Sequence, residues 1–136
     1  MKKYTQADFD AFEVIDGIKQ CPSGDYSDIQ VFSDRCSFGE DCSFGEECSF
    51  GKWCSFGEDC SFGEYCSFGE YCSFGKWCSF SKQCSFGEDC SFGEECSFEG
   101  KGEYIGDYPF LAFVGFGSRI GSKAAFMSVA AAGCRI

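Results

Sequence analysis

Cysteine offers the most chemistry in this chain. It accounts for thirteen of 136 residues, and eleven of these lie six apart from Cys36 to Cys96. Thiolates in series are soft ligands that suit zinc or copper(I), and neighbouring thiols can oxidise to disulfides. The spacing is Cys-x5-Cys, however, without the Cys-x2-Cys pairs typical of zinc sites. There is no histidine anywhere, which removes the commonest general base and the usual companion of cysteine at zinc. No Gly-rich phosphate loop ending in Lys-Ser/Thr and no Gly-x-Ser-x-Gly elbow occurs. The expectation is a protein that is not an enzyme and needs no cofactor. Its cysteines are expected to pack as small hydrophobes, with metal binding and stacked disulfides left as alternatives.

The elements that position these thiols follow from the repeat. Cys-Ser-Phe recurs eleven times between Cys36 and Phe98, followed by Gly in nine copies, with Ser81 and Glu99 the exceptions. Only the last two positions of each copy vary. A period of six would spiral the Phe column around every face of a helix, and each Gly would cost about 1 kcal/mol there relative to Ala. A short strand plus a turn fits better. Alternation in Cys-Ser-Phe sends Cys and Phe inward and Ser outward, and Gly is expected to supply the unusual turn dihedral. Repetition coils the chain into an all-β parallel solenoid with coils roughly 4.8 Å apart. The predicted core is Phe38, Phe44, Phe50, Phe56, Phe62, Phe68, Phe74, Phe80, Phe86, Phe92 and Phe98 with Cys42, Cys48, Cys54, Cys60, Cys66, Cys72, Cys78, Cys84 and Cys90.

Coil size is read two ways. At a twelve-residue period one column is Glu40, Lys52, Glu64, Lys76, Glu88, beside Asp41, Trp53, Tyr65, Trp77, Asp89. Charges then alternate and aromatics form one ladder, with Tyr71 on the other edge. Both patterns favour adjacent strands, so register leans to two hexapeptides per coil. At eighteen each column still holds one Lys. Shifted in phase, Phe38-Gly39-Glu40-Asp41-Cys42-Ser43 resembles the hexapeptide repeat of left-handed β-helices, with Phe where that family has Ile, Val or Leu. The resemblance covers residues 32–98 and implies three hexapeptides per coil in a triangular prism. That family often has acyltransferase or carbonic anhydrase activity through histidine, which this chain lacks. Pentapeptide-repeat proteins have a similar composition but a period of five. The chain also looks like uncharacterised bacterial and phage proteins with Cys-Ser-Phe-Gly runs.

Formal net charge is −11. Residues 36–98 hold twelve acidic and three basic side chains. Such a surface repels nucleic acid and anionic membranes and suits a basic or nucleic-acid-binding protein partner. Lys2 and Lys3 are not followed by the apolar run of a secretion signal. The stretch 108–136 is interrupted by Arg119 and Lys123, so no membrane span is expected. The reading is a cytoplasmic protein with reduced thiols.

Three segments are expected. Residues 1–35 form an N-terminal cap, in which Thr5 and Asp8 make a capping box, Tyr4 and Phe9 occupy the staple positions, a helix covers about 5–13, and Asp16-Gly17 turns a hairpin. Residues 36–98 form the solenoid. Residues 99–136 form a C-terminal β cap, with a strand over Phe110–Phe116 and another element over Ala124–Ala132; since the chain stops just after an apolar segment, it is expected to be part of a longer protein. The caps leave room for homo-oligomers. Two functions remain. One is a structural or protein-interaction rod. The other is an acidic decoy that imitates nucleic-acid phosphates and occupies a DNA- or RNA-binding protein, as pentapeptide-repeat gyrase inhibitors do. The contact surface is placed at Glu40, Glu58, Glu64, Glu70, Trp53, Tyr65 and Trp77. The outward Ser column resembles the hydroxyl arrays of ice-binding solenoids, but as a single rank flanked by charge it reads as a solvated strand face.

Overall fold

The computed structural model describes residues 1–87, 90–98 and 119–120. The chain opens with helix α1 (Gln6–Ala11). The Thr5 side chain accepts from the Asp8 N–H at 3.2 Å and the Asp8 carboxylate accepts from the Thr5 N–H at 2.8 Å. These two bonds satisfy helix N–H groups that would otherwise lack partners, and they hold the Asp8 carboxyl below its usual range. Tyr4 and Phe9 are both buried. Tyr4 packs its ring on Phe12 and Tyr26, and Phe9 packs on Phe12 and Phe32. Strands β1 (Val14–Ile15) and β2 (Ile18–Cys21) then pair antiparallel. Asp16 and Gly17 between them have φ of 51° and 79°, the double left-handed turn that suits a two-residue hairpin.

From β2 onward the pairing is parallel, and the coil repeats every eighteen residues. Strand β4 (Cys36–Phe38) pairs with β2, and Ser37 lies opposite Ser55 and Ser55 opposite Ser73. This first face continues to Ser91–Phe92. A second face runs through bridges at Lys3, Asp25, Ser43 and Ser61, then Ser79–Phe80, Ser97–Phe98 and Arg119–Ile120. A third stacks β3 (Val31–Phe32) under Ser49–Phe50, Ser67–Phe68 and Ser85–Phe86. The solenoid is therefore a three-sided prism of about four turns, with three hexapeptides per coil. Parallel stacking already includes residues upstream of Cys36. Apart from Arg119–Ile120, the expected C-terminal cap, with its elements at 110–116 and 124–132, lies outside the described residues.

The twelve-residue coil is overturned, and aromatic geometry gives the reason. Rings prefer edge-to-face or offset stacked contacts. In the prism each described repeat Phe from Phe38 to Phe92 has both kinds. Phe62 stacks on Phe44 and Phe80, each at 4.9 Å and within 2° of parallel. It also meets Phe56 and Phe68 edge-on at 5.0 Å. Three Phe per layer thus interlock, one from each face. Three hexapeptides per coil is what the resemblance to left-handed β-helices implied; column charge did not discriminate, since at either period every charged column carries at least one Lys among its acids.

Glycine has a different task from the one expected. No repeat glycine has positive φ. Each stands flush against the coil below: a Cβ built on Gly63 would lie 2.7 Å from the carbonyl carbon of Gly45. Ser81, which does carry a Cβ, keeps its inter-coil bond to the Phe62 carbonyl at 3.2 Å, the length also found from Gly51 to the Phe32 carbonyl. The left-handed residue is instead the second variable one, with φ between 56° and 60° from Asp41 to Glu95. Such backbone is uncommon outside glycine, above all for bulky side chains. It is held here because that residue's N–H donates to the next coil, as from Trp53 to the Glu70 carbonyl at 3.0 Å and from Asp59 to the Lys76 carbonyl at 2.9 Å.

Candidate functional site

Two structural sets could act: the inward thiols and the outward edges. The thiols form three columns at the eighteen-residue period, Cys36/Cys54/Cys72/Cys90, Cys42/Cys60/Cys78/Cys96 and Cys48/Cys66/Cys84. All are buried. Above the first turn, each Sγ donates to a carbonyl twenty-one residues upstream, as from Cys60 to Gly39 at 3.5 Å and from Cys66 to Gly45 at 3.3 Å. That bond explains why a thiol rather than a methyl fills the small inward position. Proximity to the Cys54 and Cys90 thiols, with burial, pushes Cys72 up; proximity to those of Cys42 and Cys78 pulls Cys60 down. For a column as a whole the direction is upward, because an aromatic core offers a thiolate poor solvation.

The edges carry the variable residues, and the prism sorts them into three chemically different rows. Between the first and second faces lie Glu40-Asp41, Glu58-Asp59, Lys76-Trp77 and Glu94-Glu95. This is an acidic edge: six carboxylates to one ammonium. Between the second and third faces lie Glu46-Glu47, Glu64-Tyr65 and Lys82-Gln83, with Lys82 4.0 Å from Glu64. Between the third and first faces lie, among the described residues, Asp34-Arg35, Lys52-Trp53 and Glu70-Tyr71, whose formal charges cancel; Glu88-Asp89 comes next at the same period in the sequence. On this aromatic edge the Arg35 guanidinium sits 4.7 Å above the Trp53 ring, and Trp53 stacks on Tyr71 at 5.7 Å and 8°. Asp34 accepts from the Lys52 N–H at 2.8 Å.

The predicted contact residues are therefore divided. Glu40, Glu58 and Trp77 share the acidic edge, Glu64 and Tyr65 the mixed edge, and Glu70 and Trp53 the aromatic edge. The single ladder Trp53, Tyr65, Trp77 does not form. Tyr71, assigned to another edge, is the residue that stacks on Trp53. Sequence reasoning missed Arg35, which precedes the first full repeat but holds the same turn position. Every predicted core Phe from Phe38 to Phe92, and every predicted core Cys, is buried; the Phe98 side chain lies outside the described residues. The outward serines pair across coils, as Ser61 with Ser79.

One family model matches, described as an RNA-binding, Nab2-type zinc finger, over residues 31–45, 47–63 and 83–98. It is not a hexapeptide-repeat family, and it covers about a third of the chain. No curated protein and no solved structure matches the chain. The residues present do not fit the zinc of such a finger. The chain has no histidine to complete a three-cysteine, one-histidine set. Among the described residues, no three His, Cys, Asp or Glu side chains are grouped to hold a metal ion. The matched cysteines face a phenylalanine core and donate to backbone carbonyls, as from Cys60 to Gly39 and from Cys84 to Gly63. Among the described residues no helix is long and apolar enough to cross a membrane.

Proposed function

We propose that the protein is a non-enzymatic interaction rod whose acidic edge docks a basic protein. The concentration of carboxylates on one edge of the prism supports this reading: Glu40, Asp41, Glu58, Asp59, Glu94 and Glu95 stack in two adjacent columns broken once by Lys76-Trp77. Stacked like charges strain an isolated fold, and a cationic partner relieves that strain. The reduced, buried thiols suit the cytoplasm. The test immobilises the protein under reducing conditions and captures partners from bacterial lysate at low salt. A partner held by the parent, released by salt and lost in a Glu40→Gln, Glu58→Gln, Glu94→Gln variant supports the edge. Capture that survives in that variant overturns it.

Charge spacing favours a second reading, the nucleic-acid decoy. Two carboxylates per coil at roughly 4.8 Å give about one charge per 2.4 Å, near the one per ~1.7 Å of duplex DNA. This reading requires that free duplex or single-stranded nucleic acid compete with the captured partner, whereas an ordinary basic partner is indifferent to it. A phage or mobile-element origin, suggested by the Cys-Ser-Phe-Gly runs, would suit the decoy. On either reading the rod itself does not bind nucleic acid.

A further inference from the structure

A function at the surface leaves the three thiol columns without a role beyond packing. Packing and the bond from each Sγ to a carbonyl account for one thiol at a time; the alignment of the thiols in continuous columns adds a chemical capacity beyond both. We infer that vertically adjacent thiols in these columns form two-coordinate sites for a soft monovalent cation, copper(I) in the cell and silver(I) as its air-stable counterpart.

Geometry carries the inference. Parallel strands repeat the column at coil spacing, and the ring stacks beside it measure that spacing: 4.8 Å for Phe56 on Phe74 and 4.8 Å for Phe50 on Phe68. Metal–thiolate bonds are comparable to the roughly 2.3 Å of zinc–thiolate. Two placed end to end span about 4.6 Å, so a cation midway between stacked sulfurs bonds both while the coils stay in place. The parallel register sets like residues of successive coils over one another, as Ser61 with Ser79 and Ser67 with Ser85, so the cysteines that precede them stack in the same order. The same arrangement disfavours zinc. Tetrahedral coordination needs further ligands, and no group of three is available among the described residues. Thiolate softness selects copper(I).

Charge balance makes each column load as a unit. The first cation replaces the protons of two thiols and leaves one negative charge. Every further cation in the same column replaces one proton and adds no charge. A column of four sulfurs therefore takes three cations, and a column of three takes two. The exchange gives up the Sγ–H bonds to carbonyls such as Gly39 and Gly57. It involves no oxidation. Because the sulfurs are buried, loading accompanies folding.

The test refolds the full chain with silver(I) in chloride-free buffer and a competing small thiol, then counts bound metal by native mass spectrometry. Circular dichroism checks that the β fold is retained. The columns predict a count pattern that independent thiols do not. Cys96→Ala, at the end of a column, loses one cation. Cys60→Ala, which leaves only Cys78 and Cys96 adjacent in that column, loses two. X-ray absorption should find two sulfur neighbours per metal. Equal losses from the two variants, three sulfur neighbours, loading only with loss of the β signal, or no loading would each overturn the inference.

Discussion

The acidic edge and the aromatic edge are built on the same backbone. Both place a left-handed residue at the corner, with φ of 57° at Asp41 and 57° at Trp53. In both, that residue's N–H donates to the next coil, at 2.9 Å from Asp41 to Glu58 and 3.0 Å from Trp53 to Glu70. The side chains differ completely. One edge stacks carboxylates, which repel one another and leave the row short of cations. The other stacks a guanidinium, an indole and a phenol, each satisfied by its neighbour. The comparison separates what folds the chain from what the chain presents. Core and corner are fixed by the repeat, so the two variable positions are free to make one row self-sufficient and leave another in want of a partner.

The largest effect should fall on what the edges share. Phe62 is buried and contacts rings above, below and beside it. Phe62→Ala is expected to cost about 3–5 kcal/mol, read as a lower midpoint in urea unfolding with the slope unchanged. Both edges should be lost together, so partner capture and, in a Trp77→Phe background that leaves Trp53 as the one indole, fluorescence should fail at the same denaturant concentration. If the acidic edge survived the loss of the aromatic one, the shared-core account would be wrong.

Next comes charge. Reversing Glu40, Glu58 and Glu94 to Lys on the acidic edge should weaken a basic partner by about tenfold or more, mostly through slower association and a shallower salt dependence. Glu70→Lys on the aromatic edge should change binding by less than about twofold. Surface plasmon resonance at two ionic strengths checks both. Equal losses from the two edges would mean that overall charge, not one row, recruits the partner.

Much of the common scaffold was legible and much of the difference between edges was not. Strict Cys-Ser-Phe alternation gave the parallel strand, the inward Phe and Cys, and the outward Ser. Thr5, Asp8, Asp16 and Gly17 gave the helix start and the hairpin turn, because those signals are local. Coil size was not local. A column such as Glu40, Lys52, Glu64 looked favourable because it alternated charge, yet surface pairs of this kind contribute only about 0–1 kcal/mol. Packing three Phe rings per layer outweighs that, and ring geometry cannot be read from a hexapeptide. The error carried through to the site: with the wrong period, Trp53, Tyr65 and Trp77 formed one ladder, and the true pair of Trp53 with Tyr71 fell on different edges. The task of glycine was misread for the same reason. Its constraint is the coil eighteen residues below, as Gly45 lies beneath Gly63, and that neighbour is invisible without the period.

The smallest effect is the most discriminating. Trp53 and Tyr71 both sit at left-handed corners, where asparagine is tolerated almost as well as glycine. Replacing each with Asn, singly and together, removes the rings without adding backbone strain. The double-mutant cycle should return a coupling of about 0.5–1.5 kcal/mol, favourable in the parent, as expected for a stacked aromatic pair. The matching cycle at Asp41 and Asp59, also converted to Asn, should give a coupling of opposite sign that shrinks in high salt, because those carboxylates repel. Two cycles of the same sign would mean that the corners themselves, rather than their side chains, set the energetics of both edges. The distinction between a self-satisfied row and an unsatisfied one would then disappear, and with it the reason for assigning the partner to the acidic edge.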